Sequence, residues 1–208
     1  MNRIIKILML SDIFVFTGFG LIEPILAIFI KENMVGGTIF AAGIASTIYL
    51  VTKSLVQLPF ARYVDSHDHK LIWLKLGSAL IVTVPFLYML AKEIHFIYAI
   101  QIIYGIGAGL AYPAWLGIWS SNIDKDHQSF EWSFYYTLVG LGTAMTAIMG
   151  AAVAEYVGFN YTFLLVGILS FIGCALLYTL EKKRIKQGKE LNLHQYHRKR
   201  KLLHHKYH

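Results

Sequence analysis

Two carboxylates and one lysine lie within long apolar stretches of the sequence, where charged side chains are rare. Asp12 and Glu23 are eleven residues apart in the first stretch, so on one continuous helix they would share a face, about 16 Å apart. Lys53 lies in the second stretch. Because a charge at membrane depth is costly and usually functional, we expect these groups to bind a solute or carry protons. Asp12 and Lys53 are also placed to pair across the two helices.

Each of these charges also has a structural explanation. Asp12 can lie close to a membrane interface, and Lys53 can extend its ammonium group to the lipid headgroups. Glu23 directly precedes Pro24, which weakens a helix because proline supplies no amide hydrogen. That position fits either a carboxylate facing a cavity or a buried structural hydrogen bond.

Polar and aromatic residues accompany the charges. Tyr49 and Gln57 lie one helical turn on either side of Lys53, and Gln101 and Tyr112 share the fourth apolar stretch. Aromatic side chains suit an amphipathic or aromatic solute, although they also mark membrane interfaces and fill helix packing. The candidate residues for solute or proton binding are Asp12, Glu23, Lys53, Gln57, Gln101, Tyr49 and Tyr112.

The composition is that of a membrane protein. Of the 208 residues, 56% are hydrophobic and 15% are charged, whereas an average soluble domain has roughly 25% charged residues. A spanning helix needs about 20 mostly apolar residues. The sequence therefore predicts an all-α membrane protein, a bundle of six transmembrane helices at about residues 4–30, 38–60, 71–91, 95–119, 133–156 and 161–180.

The basic residues predict the orientation of this bundle. Lys and Arg concentrate at the N-terminus, after the second and fourth predicted helices and after residue 180, and basic segments stay on the cytoplasmic side. Both termini are therefore predicted to be cytoplasmic, in a multi-pass protein of the plasma membrane. Residues 181–208 hold ten of the nineteen basic residues, so the net charge of +7 belongs to a basic, His-rich tail following a domain at 1–180. We expect this tail to contact lipid rather than nucleic acid.

Several local patterns occur in the order found in one family of transporters. The segment from Gly18 through Glu23-Pro24 is similar to the glycine-then-proline pattern in the first helix of drug:proton antiporters. The loop from Arg62 through Asp65 to Lys70 is similar to the signature loop between helices 2 and 3 of that family. Together these patterns resemble the N-terminal six-helix half of the major facilitator superfamily.

Helices 4 and 5 carry two further patterns of this resemblance, with departures. Gln101 occupies the position of an arginine that the family ties to proton coupling, which moves that role toward Asp12 and Glu23. In the fifth predicted helix, Gly150, Ala154 and Gly158 form a stripe of small residues. Such a stripe fits either static helix packing or a moving interface.

The resemblance implies a function and a partner. It implies alternating-access transport of a small organic solute, coupled to protons, by one half of a two-half transporter. The second half is a second copy in a homodimer or another six-helix half. Arg62, Asp65 and Lys70 would form a conformational gate, with Arg62 or Lys70 pairing with Asp126 or Glu131 of a second copy. The alternative is a six-helix membrane protein that transports nothing, either an assembly or interaction factor or a truncated half-gene product.

Enzymatic activity is the least supported class. The sequence lacks a Gly-x-Ser-x-Gly elbow, a His-Glu-x-x-His motif and a phosphate-binding Gly-x-x-x-x-Gly-Lys loop. His67, Asp68 and His69 are adjacent, but helix capping by Asp68 with solvated histidines explains them better than a metal site. We expect no cofactor and no metal.

Overall fold

The structure is a computed structural model that describes residues 1–67 and 69–180. Asp68, with its predicted capping role, and the predicted tail at 181–208 lie outside the described residues. In the described residues, all of the named elements are helices, joined by short turns and loops. Its helices are α1 (Arg3–Gly20), α2 (Leu26–Asn33), α3 (Ile39–Ser66), α4 (Lys70–Leu90), α5 (Ile94–Asn122), α6 (Gln128–Tyr156) and α7 (Phe159–Leu180).

Five of these helices, α3 to α7, are long and apolar enough to cross a membrane. The prolines at positions 59, 85 and 113 lie inside α3, α4 and α5, as membrane helices tolerate where neighbouring helices satisfy the freed backbone groups. Side chains cap two helix starts: the Asn2 amide oxygen accepts from the Ile4 amide, and the Thr38 hydroxyl accepts from the Ala41 amide.

The first predicted span is not one continuous helix. It divides into α1 and α2, with a turn over residues 21–25. Pro24 has no amide to donate to the carbonyl of Gly20, and the Ile25 amide donates to Ile22 rather than one residue earlier. The prediction of an unbroken helix over 4–30 was therefore wrong.

Helix α5 lies at the centre of the bundle, packed against α3 and α4, while α1 packs against α6. Helix α7 fits between α1 and α4: the backbone of Gly173 lies against Ser11, and that of Gly167 lies against the ring of Phe86. Buried side chains form two clusters, one around Phe29 and Phe163 and the other around Trp119. The two clusters lie toward opposite ends of the bundle.

The contact between α6 and α1 depends on small residues. A Cβ at Gly150 would collide with the backbone of Leu21 in the turn after α1, and one at Gly142 would collide with Thr17. Gly158 instead has φ +113 and open space around it, because it forms the turn into α7. The close-packed stripe thus runs from Gly142 to Gly150. Gly158, which the sequence analysis placed in the stripe, lies outside it.

Two loops at the predicted outer end are joined by backbone hydrogen bonds. The Val35 amide donates to the Lys92 carbonyl at 2.9 Å, and the Ile94 amide donates to the Val35 carbonyl at 3.1 Å. This short parallel bridge ties the start of α5 to the loop before α3. Gly36 supplies the turn beside it with φ +79, a backbone conformation that favours glycine.

Candidate solute pocket

A pocket of about 110 Å³ lies between α1, α3 and α5 near the middle of their lengths, with α4 and α6 completing its wall. Four of the predicted residues line it. They are Asp12, Lys53, Tyr49 and Tyr112. The other lining residues are Ser11, Val15, Phe16, Phe19, Leu74, Ser78, Ile81, Tyr104, Ala108, Ala111, Trp115 and Tyr135. The pocket is therefore mostly apolar, with one carboxylate and one ammonium group.

Asp12 is held by a tyrosine that the sequence analysis did not single out. The hydroxyl of Tyr135, on α6, donates a 2.8 Å hydrogen bond to Asp12 Oδ2. The neighbouring Ser11 hydroxyl donates to the Gly173 carbonyl at 2.7 Å. These two bonds join α1 to α6 and to α7. No signal in the sequence pointed to Tyr135, because the predicted helix began at residue 133, only two residues before it, whereas α6 begins at Gln128.

Lys53 is held by aromatic rings. Its Nζ lies 5.2 Å from the ring centre of Tyr112 and 5.9 Å from that of Tyr49, within the range of a cation–π interaction. Lys53 has no hydrogen bond or ion pair to any described residue. Asp12 and Lys53 thus share the pocket without forming the ion pair that the sequence suggested.

Aromatic rings form two walls of the pocket. In the first wall, Tyr104 stacks on Tyr49 at 4.3 Å and on Phe19 at 4.9 Å between ring centres. In the second wall, Trp115 lies 5.3 Å from Tyr135 and 6.5 Å from Tyr112. Lys53 contacts one ring of each wall, so its ammonium group lies between them.

Three predicted site residues do not line the pocket. Glu23 is exposed in the turn between α1 and α2, because the break in the helix removes the regular spacing that would align it with Asp12. Gln57 is half-buried on α3, one turn beyond Lys53, and Gln101 is buried within α5. Four of the seven residues predicted to bind solute or protons therefore line the pocket.

Two of the predicted gate residues, Arg62 and Asp65, lie in the C-terminal end of α3, and the third, Lys70, is the first residue of α4. Arg62 and Asp65 are exposed, while Lys70 is half-buried with its side chain beside Gly117. Among the described residues, no group of three His, Cys, Asp or Glu side chains could hold a metal ion.

Glu131 is not available to a second copy of the chain. Only 1% of its surface is exposed, and its carboxylate lies 3.2 Å from the amino group of Met1 and accepts from the Asp124 amide at 3.4 Å. Burial within this chain rules out its predicted pairing with Arg62 or Lys70 of a partner. Asp126 remains exposed.

The loop before α6 is organised by Asp124. Its carboxylate accepts from the Asp126 amide at 3.1 Å and lies 3.2 Å from His127 Nδ1. The backbone hydrogen bond from Asp126, followed by the side-chain bond to His127, lowers the pKa of the Asp124 carboxyl.

Comparison with known proteins identifies the family of this bundle. Residues 8–204 match the Major Facilitator Superfamily. The chain belongs to that family. Members of the Major Facilitator Superfamily are membrane transporters, and the chain is accordingly a multi-pass protein of the plasma membrane, as the sequence predicted.

Two relatives in the superfamily are transporters of different kinds. The chain is 24% identical over 169 residues to a multi-drug resistance efflux pump PmrA homolog from Lactococcus lactis, covering 80% of this chain and 41% of that protein. It is 23% identical over 128 residues to the proton-coupled antiporter flippase LtaA from Staphylococcus saprophyticus, covering 60% of this chain and 32% of that protein. The chain thus spans less than half the length of these relatives.

Solved structures show the same fold. The crystal structure of the POT family transporter PepTSo superposes with a TM-score of 0.76 at 13% identity, over 88% of this chain and 38% of that one. An auto-inhibited POT family peptide transporter gives a TM-score of 0.74 at 16% identity, over 87% of this chain and 37% of that one. The predicted all-helical transporter fold is confirmed, while the described residues hold five helices long and apolar enough to span a membrane rather than the predicted six.

Proposed function

We propose that this chain is one six-helix half of a transporter that moves a small organic solute by alternating access, coupled to protons. The observation that carries the proposal is the pocket. It lies near the middle of the helices, where a solute held between two halves would sit, and it combines apolar walls with one carboxylate and one ammonium group.

The exposed surfaces of α3 and α6 support the presence of a second half. In the apolar 18-residue segment of each helix, only 17% of α3 and 6% of α6 is buried within the chain. Both helices border the pocket, through Lys53 and Tyr135. A second half placed against them would close the pocket, and we propose that this half is a second copy or another six-helix chain.

The topology that we propose counts α1 and α2 together as one span. With α3 to α7 this gives six spans, so both ends of the domain lie on the same side of the membrane. We propose that this side is the cytoplasm, because basic residues concentrate there. Two copies inserted in the same orientation then meet around an axis along the membrane normal. Arg62, Asp65 and Lys70 lie at the cytoplasmic end, where they act as the gate between halves.

Asp12 and Glu23 are the carboxylates that we propose to carry protons. Asp12 lines the pocket in which we propose that the solute binds, and Glu23 lies exposed in the break of the first span. Gln101 bears no ionisable group, so it takes no part in proton transfer. The two relatives, a proton-coupled antiporter flippase and a multi-drug resistance efflux pump homolog, support this class of function.

Proteoliposomes that enclose a pH-sensitive dye test the transport proposal. Adding a panel of small amphipathic solutes outside vesicles that hold the protein should move protons across the membrane. Asp12→Asn should abolish this movement and Glu23→Gln should reduce it. Glu155→Gln, an exposed carboxylate near the predicted outer end of α6, is the matched control and should behave as wild type.

Two results would contradict the proposal. Proton movement that is unchanged in both Asp12→Asn and Glu23→Gln would remove the proton-carrying role. No solute or proton movement by protein that is folded and assembled would favour a membrane protein that transports nothing.

Native mass spectrometry of the chain in lipid nanodiscs tests its assembly. A homodimer has twice the single-chain mass of 23.6 kDa. A mass of one chain, with no second six-helix protein co-purifying, would contradict the two-half arrangement.

A further inference from the structure

We propose that the pocket selects solutes that pair an aromatic ring with a single anionic group, such as a carboxylate. The anion binds Lys53 and the ring lies between the two aromatic walls. This inference rests on the proposed function, since it assigns a chemical class to the solute of the same pocket.

Lys53 has hydrogen-bonding capacity that the described residues do not use. Its ammonium group carries three N–H donors, yet its contacts within the described residues are the faces of Tyr49 and Tyr112. Ring faces stabilise the positive charge but do not replace a hydrogen-bond acceptor. An anionic group entering the pocket would supply the acceptor that Lys53 lacks, in a charge-assisted hydrogen bond.

The two charged side chains of the pocket differ in what they leave open to a solute. The Asp12 carboxylate already accepts a hydrogen bond at Oδ2 from the Tyr135 hydroxyl. The Lys53 ammonium group donates to no described residue. Lys53 is therefore the charged group with all of its hydrogen-bonding capacity left for a solute, which favours an anion over a cation.

The apolar part of the pocket has the shape of two aromatic walls. The walls built on Tyr104 and on Trp115 come from stacked rings, and Lys53 contacts a ring in each. An aromatic ring between these walls can stack on either one. Its anionic substituent then reaches Lys53 without leaving the pocket. This arrangement disfavours a solute with charge but no ring, and one with a ring but no charge.

Three indole compounds that share a ring and differ in charge test the inference. They are indole-3-acetate (anion), indole-3-acetamide (neutral) and tryptamine (cation). Binding to the full chain in lipid nanodiscs is measured by equilibrium dialysis of the radiolabelled compounds. We expect indole-3-acetate to bind about tenfold more tightly than the amide, because a hydrogen bond to a charged group is stronger than a neutral one by about this factor.

Substitutions at Lys53 separate charge recognition from folding. Lys53→Met keeps the length of the side chain and should remove the preference for the anion, while Lys53→Arg should retain it. Lys92→Met, on an exposed lysine of the loop before α5, is the matched control and should bind all three compounds as wild type. A thermal unfolding curve of each variant shows whether it is folded.

Several outcomes would overturn the inference. They are equal binding of the three compounds, tighter binding of tryptamine, no measurable binding of any of them, or an anion preference that survives in folded Lys53→Met. Failure of the proposed function looks different. Selective binding of the anion without any transport would contradict the transport proposal and support the inference about the solute. Transport without a charge preference would support the transport proposal and contradict the inference.

Discussion

The hydroxyl of Tyr135 donates a 2.8 Å hydrogen bond to the carboxylate of Asp12, a residue 123 positions earlier in the sequence. The bond joins α6 to α1 at the edge of the pocket. Because α6 is otherwise little covered by the rest of the chain, this polar contact contributes to placing α6 against the bundle. It also fixes the orientation of the one carboxylate that lines the pocket.

Removing the Tyr135 hydroxyl should destabilise the fold. A hydrogen bond to a charged group is worth about 1.5–3 kcal/mol, so Tyr135→Phe should lower the free energy of unfolding by about this amount. Thermal or denaturant unfolding in detergent micelles measures the change. Tyr136→Phe, at the adjacent and 60% exposed tyrosine, is the control and should change stability by less than about 0.5 kcal/mol. Equal effects of the two substitutions would contradict a specific role for the Tyr135 bond.

Adding one methyl group at Gly150 should separate α6 from the turn after α1. Its Cβ would collide with the backbone of Leu21, and overpacking of this kind costs about 1–3 kcal/mol. Gly140→Ala is the matched control, because nothing lies within 4 Å of a Cβ built there and alanine favours a helix over glycine by about 1 kcal/mol. We therefore expect Gly150→Ala to lower the unfolding temperature and Gly140→Ala to keep or raise it. A Gly150→Ala protein as stable as wild type would show that the close contact is absent.

The sequence predicted the class of fold but not the partners of the charged groups. Long apolar stretches indicate membrane-spanning helices, because the thickness of the bilayer sets their length. Six were predicted, and the described residues contain five helices of that length and composition. The effect of Pro24 on the first helix was also visible, since a missing amide is a local property. The partners of Asp12 and Lys53 depend instead on how α1, α3, α5 and α6 rotate against one another. That rotation is decided by packing over the whole bundle, so the hydrogen bond between Tyr135 and Asp12 emerged only from the structure.

The loop before α6 should respond to acid through Asp124. Its lowered pKa means that the folded loop favours the carboxylate. The stabilisation is thus fully present above the unfolded pKa of about 3.9 and is lost as the pH falls through the folded pKa. Hydrogen exchange of the Asp126 amide, corrected for the intrinsic effect of pH, should show protection at pH 6 that disappears in strong acid. Asp124→Ala should lose this protection already at pH 6, whereas Asp126→Ala should leave the amide at position 126 protected. Protection that is independent of both pH and the Asp124 side chain would contradict this interpretation.

Access to the pocket from the two sides of the membrane tests the central claim most directly. Phe16 lines the pocket and is 44% exposed, so Phe16→Cys, in a chain whose buried Cys174 is replaced by alanine, places a single thiol there. A membrane-impermeant thiol reagent is added to right-side-out and to inverted vesicles, with Tyr156→Cys, at the predicted outer end of α6, as a control that should react from one side only. With alternating access, we expect the thiol at position 16 to react from both sides, because a carrier exposes its pocket to each side in turn. Reaction from one side only, under all solute and pH conditions, would contradict alternating access.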